Sequence, residues 1–349
     1  FSTKMNSNYE FTTTDENDVQ LAYTVNFPLK TSWVDLNGFM RNVFGQRTMN
    51  GVVKLNNGHI IVPIERFTDE QTEYCAKQII DFANYCETQG STFVYVQPPI
   101  NTDEDNKQLP AGAEDYRNEN VDGVIQMVEA QGVDVIDLRQ CMKDDGMDIY
   151  DYVYKTDHHW NTLGAFYGFQ HISEYIENVT GKEINPMYTD FNNYKVEVYK
   201  NWHLGSTGQK VGQYFAGADD YEMILPDFAT KLSNDDGNIY TFEQIAINWE
   251  TFSNKDATSR YTYDHAFSGG WTNTEETTSI SALILSDSYF TAINPYMSLA
   301  YSGFQYNYWP EGLKADVVKD IQPEVVIYLP YIYNDTNLRY IPPTEESGE

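Results

Sequence analysis

The chain alternates between two hydrophobic patterns, one typical of amphipathic helices and one typical of buried strands. In "DEQTEYCAKQIIDFANYCETQG" (69–90), apolar side chains recur at i, i+4, i+7 and i+11, the spacing of one buried helix face, at Cys75, Ile79, Phe82 and Cys86. "STFVYVQPPI" (91–100) is a short apolar run that ends at two prolines, as a buried strand does. The pattern therefore predicts a helix that leads into a strand.

The same order recurs downstream. "NVDGVIQMVEAQG" (120–132) predicts a second helix, and "VDVIDL" (133–138) predicts a second strand. A third helix is predicted from Asn161 or Thr162, either of which can act as its N-cap, to a stop at Gly181. Strands that alternate with helices at this spacing indicate parallel strands joined by crossover helices.

The rest of the chain divides around this α/β stretch. Residues 1–66 are predicted to be an extended lead-in, with a hairpin over 51–63 that turns at "NNG" (56–58). Short β-like runs and frequent turns predict a β-rich insertion over 186–276. A strand, a tight turn and a helix start are then predicted over 279–293, and a last buried strand over 323–334. The predicted segments are 1–66, 67–185, 186–276 and 277–349.

The net charge of the chain limits the kinds of partner that it can bind. The chain carries 52 acidic residues against 22 Lys and Arg, a formal net charge of −30, so DNA or an anionic membrane surface would be repelled. We therefore expect no nucleic-acid partner. No apolar run approaches the ~20 residues needed to cross a bilayer. The chain starts at Phe1, which a removed signal segment or an arbitrary boundary would explain equally well; we expect an extracellular or cell-surface location.

Cysteine spacing gives no metal or disulfide signature. Cys75 and Cys86 lie eleven residues apart on the predicted helix, which holds their Cα atoms ~16 Å apart, beyond disulfide reach. With Cys141 they are most simply three buried thiols, and no Cys-x-x-Cys pair occurs. No cofactor is expected.

Two short stretches carry candidate chemistry. "LILSDSYF" (283–290) places Ser288 in a sharp turn between a predicted strand and a helix, a setting that suits a nucleophile but also an ordinary helix N-cap. "TDHHW" (156–160) offers Asp157 and His159, two residues apart, as the orienting acid and the base of a triad. The cluster could equally be a capping turn or a metal site.

The metal hypothesis is the weaker one for this cluster. Adjacent side chains such as those of His158 and His159 point in different directions in most backbones, so they rarely ligate one ion together. The chain also lacks a helical His-x-x-x-His pair. We therefore predict no metal site here.

Three motifs together resemble a known family. "TDHHW" (156–160), "HLGSTGQKVGQYF" (203–215) and "LSDSYF" (285–290) are similar to the DHHW family of SGNH-hydrolase-like proteins, which is related to the periplasmic alginate O-acetyltransferases. The resemblance covers roughly residues 50–335. It implies a catalytic triad of Ser288, His159 and Asp157.

The resemblance also implies a circularly permuted SGNH-hydrolase-like fold. SGNH esterases present their serine first and their Asp-His pair last, whereas Ser288 follows His159 by 129 residues here. We expect a flavodoxin-like, mainly parallel sheet between helices, because a permutation preserves parallel packing. The strand in 281–286 would be first, and those in 92–97 and 133–138 would be last.

The resemblance assigns further residues to the site. The oxyanion would be bound by the backbone N–H of Ser288, with Gly303 and Asn334 near the usual glycine and asparagine donors. Substrate contacts are expected from His158, Trp160, Tyr289 and Tyr331, although for Trp160 packing against the histidine is the preferred role. The chain departs from the alginate enzymes at the end of its last strand, where Tyr328 to Tyr331 replace a Glu-Arg pair, which puts the polymer specificity in question.

The expected activity is that of a serine-dependent acetyl esterase or O-acetyltransferase. It would act on a cell-surface or extracellular polysaccharide through an acetyl-Ser288 intermediate, with a membrane-bound acyltransferase as a possible source of acetyl groups. The alternative is a non-catalytic glycan-binding or accessory protein that retains the fold.

Overall fold

The computed structural model describes residues 29–234, 236–252, 271–275, 279–301, 303–308, 312–331 and 338–344. The helices are α1 Lys30–Val43, α2 Asp69–Thr88, α3 Arg117–Glu129, α4 Leu138–Asp144, α5 Thr162–Thr180, α6 Pro186–Thr189, α7 Ser206–Val211, α8 Gln213–Ala216, α9 Phe242–Ala246, α10 Trp249–Phe252, α11 Phe290–Ala300 and α12 Ala315–Ile321. The strands are β1 Thr48–Met49, β2 Val52–Lys54, β3 Ile60–Ile61, β4 Thr92–Gln97, β5 Asp134–Asp137, β6 Tyr194–His203, β7 Asp219–Pro226, β8 Leu232–Ser233, β9 Ile239–Tyr240, β10 Thr272–Asn273, β11 Ser281–Ser286, β12 Gly303–Tyr308, β13 Leu313–Lys314, β14 Val325–Leu329 and β15 Tyr340–Ile341.

A parallel sheet forms the frame of the protein. Within the described residues it has five strands in the order β12-β11-β14-β4-β5. Every neighbouring pair is parallel, so all five carboxyl ends lie at one edge. This confirms the prediction of a single parallel sheet, which contains the strands within 92–97, 133–138, 281–286 and 324–329.

The permuted order is also confirmed. We number the strands as an unpermuted chain would: β11 is 1, β12 is 2, β14 is 3, β4 is 4 and β5 is 5. Their order across the sheet is then 2-1-3-4-5. This is the flavodoxin-like doubly wound arrangement, in which sites lie at the carboxyl edge of the sheet. The chain therefore has an SGNH-like α/β fold with its usual halves exchanged.

Helices cover both faces of the sheet because successive strand residues point to opposite sides. Val94 and Val96 of β4 pack in one core with side chains of α5 and α11. Phe93 and Tyr95 of the same strand pack in the other core with α2, α3 and α12. The strands are apolar on both faces, as parallel strands between two helix layers must be.

The three predicted helices are present, and one starts earlier than expected. Helix α2 buries Cys75, Ile79, Phe82 and Cys86. Helix α5 is capped by the Asn161 side chain and ends at Gly181, whose φ of 66° is left-handed. Helix α3 begins at Arg117 instead of residue 120, because its first turn contributes buried polar contacts that hydrophobic spacing does not reveal.

The segment before α2 is only partly as predicted. Strands β2 and β3 form the expected hairpin, and Gly58 takes a φ of 92° in its turn. The prediction of an extended lead-in is wrong for residues 30–43, which form α1. This helix contacts the body of the protein through Gly38, and not through an apolar stripe of the kind that identified the other helices.

The insertion is β-rich but contains short helices as well. Strands β6 and β7 pair antiparallel, as do β8 with β9 and β10 with β8. Helices α7 and α8 lie between β6 and β7. Residues 303–308 form the edge strand β12. In the described part of the chain, no helix has the length and hydrophobicity that crossing a membrane requires.

Candidate active site

Ser288 lies in the turn between β11 and α11, at the carboxyl edge of the sheet. Asp287 holds this turn with both carboxylate oxygens. Its Oδ1 accepts the Tyr289 backbone N–H at 2.9 Å, and its Oδ2 accepts the Tyr331 N–H at 2.8 Å. The serine turn is therefore tied to the segment that follows β14, and the Ser288 side chain remains half-buried.

Three side chains form a continuous hydrogen-bonded chain at this edge. His159 Nε2 lies 2.7 Å from Ser288 Oγ, and His159 Nδ1 lies 2.6 Å from Asp157 Oδ1. The sheet thus brings together the candidate serine, base and acid across 129 residues of sequence. This is the geometry that a Ser-His-Asp triad requires.

The Asp157 carboxylate is buried and surrounded by donors. Its Oδ1 also accepts the backbone N–H groups of His158 at 2.7 Å and His159 at 3.2 Å, and its Oδ2 accepts the N–H of Ser206. Burial alone would raise its pKa, but the charge of His159 and hydrogen bonds from both histidines outweigh burial and hold the pKa well below its ordinary value. Asp157 is therefore an anion able to stabilise an imidazolium.

The 203–215 segment packs against the Asp157 carboxylate. A Cβ atom on Gly205 would overlap the side chain of Asp157 and would lie 2.7 Å from the Thr156 carbonyl oxygen. The Gly205 N–H donates to Thr156 Oγ1 at 2.8 Å. Gly205 and Ser206 were not singled out from the sequence, although the motif containing them was, and a glycine at a close backbone approach is the signal that identifies them.

A second buried acid supports the same turn. Asp219 accepts hydrogen bonds from the backbone N–H groups of Lys155 and Thr156 and from the Thr156 hydroxyl. Burial raises the pKa of Asp219 to about 6 despite these hydrogen bonds. The contact spans 63 residues of sequence, and no local pattern in the chain indicates it.

A buried arginine supports the turn from the other side. Arg117 pairs with Asp115 through Nε at 2.6 Å and Nη2 at 3.0 Å, and its Nη1 donates to Asn101 Oδ1. The Asn101 amide donates in turn to the backbone carbonyl of Asp157 at 3.3 Å. The sequence alone does not indicate Arg117 and Asn101, because their separation along the chain hides this contact.

The two adjacent histidines do not diverge. Their ring centroids lie 3.9 Å apart, and His158 Nδ1 stands 3.1 Å from the same Asp157 Oδ1 that contacts His159. The expectation of opposite orientations is wrong here, because the irregular turn before α5 lets one carboxylate attract both rings. The His158 side chain remains 31% exposed, so it can meet a substrate.

Asp157, His158 and His159 also lie close enough together to ligate one metal ion. One ligand atom each from Asp157, His158 and His159 can be chosen so that all lie within 4.8 Å of one another. Ligation through His159 Nδ1 needs the lone pair of that nitrogen, whereas the triad needs an N–H there to donate to Asp157. The two arrangements therefore exclude each other, and a test of metal dependence distinguishes them.

Two of the residues predicted to contact substrate are walls of the site instead. Trp160 and Tyr289 are fully buried. Trp160 Nε1 donates to the Tyr289 carbonyl oxygen at 3.1 Å, and the Tyr289 hydroxyl donates to the His158 carbonyl oxygen. The substrate-binding prediction is wrong for both, since a side chain without exposed surface cannot stack on a sugar. Packing, the preferred role for Trp160, is the one observed.

Tyr331 keeps the exposure that substrate contact needs. Its ring stacks on Tyr289 with centroids 5.5 Å apart and an interplanar angle of 16°, and it lies 4.8 Å from the His158 ring. Both Tyr331 and His158 are half-buried. Together they form an aromatic surface beside Ser288 that remains open to a ligand.

The three groups predicted to bind the oxyanion have different outcomes. Gly303 is wrong as a donor: it starts β12 and pairs with Ser281, seven residues before Ser288, so it lies at the amino edge of the sheet. Six strand residues at ~3.3 Å each put that edge roughly 20 Å from the serine turn. Asn334 lies outside the described residues. The oxyanion role of the Ser288 N–H stays a prediction.

The fold and the position of the serine are similar to those of SGNH hydrolase-like proteins. Residues 65–200 match the family model described as the SGNH hydrolase-like domain of the acetyltransferase AlgX. This stretch contains Asp157 and His159 and stops before Ser288. The resemblance stated from the sequence is thereby confirmed. No curated protein sequence matches the chain significantly.

Solved structures support the same fold. The chain is similar to Bacillus cereus PatB1 with a sulfonyl adduct, at TM-score 0.63 and 19% identity, covering 84% of this chain and 96% of PatB1. A DHHW family protein from Eubacterium siraeum matches at TM-score 0.54 and 17% identity, covering 84% and 98% of the two chains. The O-acetyltransferase domain of Pseudomonas putida AlgJ matches at 0.50 and 13%, covering 82% and 92%. At these identities the likeness concerns the fold.

Proposed function

We propose that the protein is a serine-dependent O-acetyltransferase that uses an acetyl-Ser288 intermediate. The observation that carries the proposal is the unbroken chain of hydrogen bonds from Asp157 through His159 to Ser288. An SGNH-like domain related to acetyltransferases supports the choice of acyl group.

The geometry accounts for both halves of such a reaction. Ser288 Oγ attacks the acetyl carbonyl while His159 Nε2 accepts its proton, and Asp157 stabilises the resulting imidazolium. The Ser288 N–H stabilises the developing oxyanion. His159 then returns the proton to the leaving oxygen, which departs and leaves acetyl-Ser288. In the second half, an acceptor hydroxyl loses its proton to His159 and attacks the acetyl group, which frees the serine.

An acceptor surface lies next to the nucleophile. His158 and Tyr331 present half-buried rings beside Ser288, and aromatic faces of this kind pack well against sugar rings. We therefore propose a polysaccharide hydroxyl as the acceptor, in an extracellular or cell-surface setting, with a membrane-bound acyltransferase as the acetyl source. Hydrolysis by water in place of the sugar would make the same site an esterase.

Covalent labelling tests the proposal. A fluorescent fluorophosphonate should label the wild type, and the label should disappear in Ser288→Ala and weaken strongly in His159→Ala. Ser286→Ala is a matched control, because Ser286 is buried in β11 two residues before the nucleophile. A chromogenic acetyl ester, with and without an added oligosaccharide, then separates hydrolysis from transfer.

The same experiment tests the alternative of a non-catalytic glycan-binding protein. A Ser288 that resists labelling in the folded wild type, together with no turnover of acetyl esters, would support that alternative. Acetyl-ester turnover that is unchanged in Ser288→Ala would also overturn the proposal, because the reaction would then not use this serine.

A further inference from the structure

Helix α1 turns its apolar side away from the rest of the protein. Six large apolar residues on it or next to it are between 43 and 72% exposed, namely Leu29, Trp33, Leu36, Met40, Val43 and Phe44. Positions 29, 33, 36, 40 and 43 are spaced four and three apart, so they form one stripe along the helix. A surface helix of a globular protein normally buries such a stripe against its own core.

The opposite side of α1 packs on the protein through Gly38, polar side chains and a single larger apolar residue, Val34. A Cβ atom on Gly38 would meet the Val211 carbonyl oxygen at 2.8 Å and Phe215 Cβ at 2.9 Å. Asp35 Oδ1 accepts the Gln213 N–H at 2.8 Å, and the Asn42 amide donates to the Tyr214 carbonyl oxygen. These contacts hold the helix in this orientation, so its apolar stripe remains at the surface.

The exposed area extends onto a neighbouring helix. Phe39 of α1 lies edge-on to Tyr214 of α8, with ring centroids 6.2 Å apart, and both side chains are about half exposed or more. We call this surface the α1 face; it consists of the six residues above with Phe39 and Tyr214. A contiguous apolar surface of this size marks an interaction site.

The charge around the α1 face is opposite in sign to that of the whole chain. Residues 29–54 contain four basic residues and one acidic residue, 4 − 1 = +3, in a chain of net charge −30. The basic residues are Lys30, Arg41, Arg47 and Lys54, and Lys210 lies in nearby α7. Among the described residues, no ion pair involves Lys30, Arg47 or Lys210, and all three are exposed.

We infer that the α1 face docks on an anionic lipid bilayer, with α1 lying in the plane of the interface. Aromatic and aliphatic side chains would enter the headgroup region, while Lys30 and Lys210 contact lipid phosphates. A second copy of the chain is a poorer occupant, because pairing two such faces brings two basic surfaces together. Acidic residues beyond the Debye length of about 10 Å are largely screened, so the local charge determines docking. The proposal thus departs from the repulsion expected from net charge.

Vesicle binding tests this inference on the full chain. We expect co-sedimentation with phosphatidylcholine vesicles that contain phosphatidylglycerol, weaker binding as salt rises, and little binding to phosphatidylcholine alone. The combined change Trp33→Ser, Leu36→Ser and Met40→Ser should weaken binding by ~10-fold or more. The control is Val198→Ser with Ile239→Ser, two similarly exposed apolar residues elsewhere, which should bind as the wild type does.

Other results would overturn the inference. One is the absence of binding to anionic vesicles at about 0.1 M salt, where remote acidic residues are screened, by a monomeric, folded chain. A second is equal binding by the wild type and the triple variant when thermal unfolding shows both to be folded. A third is a concentration-dependent dimer, lost in the triple variant, with no vesicle binding, since a second copy would then occupy the face. Lys30→Glu with Lys210→Glu should reduce the salt dependence, and an unchanged dependence would exclude the assigned phosphate contacts.

Discussion

The α carbon of Gly205 lies against the carboxylate of Asp157, with no room between them for a side chain. Gly205 has a φ of −68°, an ordinary value for any residue, so proximity and not backbone conformation requires glycine here. Its neighbour Ser206 donates a backbone N–H to the same carboxylate. The 203–215 motif therefore contributes to the candidate triad by locating its acid.

Gly205→Ala should displace Asp157 and reduce acetyl-ester turnover. A methyl group at this position must move the carboxylate or the turn, and shifts of about 1 Å in a catalytic group cost ~10²-fold in rate. Because Asp157 orients the base, kcat should fall more than KM rises. Steady-state kinetics on the acetyl ester measures this.

Gly123→Ala is the matched control for that variant. Gly123 lies in α3, and a Cβ there would touch only the flexible Thr72 side chain, at 3.1 Å. Its turnover should equal that of the wild type. Full activity of Gly205→Ala would mean that the turn relaxes without moving the acid.

The two histidines should differ sharply when substituted. His159→Ala removes the group that contacts Ser288, and loss of a triad base costs ~10⁴-fold in serine hydrolases. His158→Ala should cost less than ~10-fold, because His158 contacts Asp157 without reaching the serine. Acetyl-ester kinetics on both variants gives the comparison, and the reverse ranking would mean that His158 is the base.

Trp160→Phe should destabilise the fold. Trp160 is fully buried and its indole N–H donates to the Tyr289 carbonyl oxygen, so phenylalanine leaves a cavity and an unpaired acceptor. We expect a loss of about 1–3 kcal/mol in the free energy of unfolding, measured by urea denaturation. Trp249→Phe, at a site that is 42% exposed and where the indole N–H donates to the exposed Glu243 side chain, should change it by less than about 0.5 kcal/mol. Equal losses in both variants would contradict the packing role of Trp160.

Glu222 should make stability depend on pH. Burial, reinforced by Asp220 and Asp219, raises the pKa of Glu222 to about 7 from an ordinary 4.5. A raised folded-state pKa favours the protonated form, so its stabilising contribution is complete below 4.5 and is lost as pH rises through about 7.

Glu222→Gln removes this titration. The variant should be more stable than the wild type at about pH 8, by on the order of 1–2 kcal/mol, and the difference should shrink towards pH 4. Urea unfolding across that range measures it. Glu197→Gln, an exposed glutamate on the paired strand β6, is the control and should show no such trend. A constant difference between Glu222→Gln and wild type at all pH values would disprove the assignment.

Chelation separates the triad from a metal site in the same cluster. Treatment with EDTA should leave acetyl-ester turnover unchanged, because His159 Nδ1 donates to Asp157 in the triad and holds no ion. Excess Zn²⁺ should inhibit by competing for that nitrogen and for His158. Loss of activity on chelation, restored by Zn²⁺, would replace the triad with a metal mechanism.

Much of the fold was predictable because its strands carry local signals. The runs at 92–97 and 281–286 are apolar on both faces, which is what parallel strands between helix layers require. Parallel strands place their carboxyl ends together, so the residues after them, including Ser288, could be assigned to one edge. The resemblance to the DHHW family, and not spacing alone, then assigned Asp157 and His159 to the candidate triad with Ser288.

What escaped prediction depends on contacts that are remote in sequence. Asp219 and Gly205 reach the Asp157 turn from 63 and 49 residues away. No local pattern indicates Asp219, and the motif that contains Gly205 does not reveal which residue it contacts. Trp160 and Tyr289 were expected to contact substrate because residue type alone does not report burial. Helix α1 was missed although its apolar positions 29, 33, 36, 40 and 43 repeat at helical spacing; the sequence carries the pattern but does not show that the apolar side is the exposed one.

The position of β14 has a consequence for how the protein is synthesised. It is the middle strand of the sheet, between β11 and β4, yet the ribosome makes it after the other four. Until it emerges, the two-stranded pieces β12-β11 and β4-β5 have no strand to join them, and pieces of that size are marginal by themselves. Ser288 and His159 belong to different pieces. The sheet that aligns them is therefore completed only after β14 emerges, and the facing edges of β11 and β4 stay open to aggregation until then.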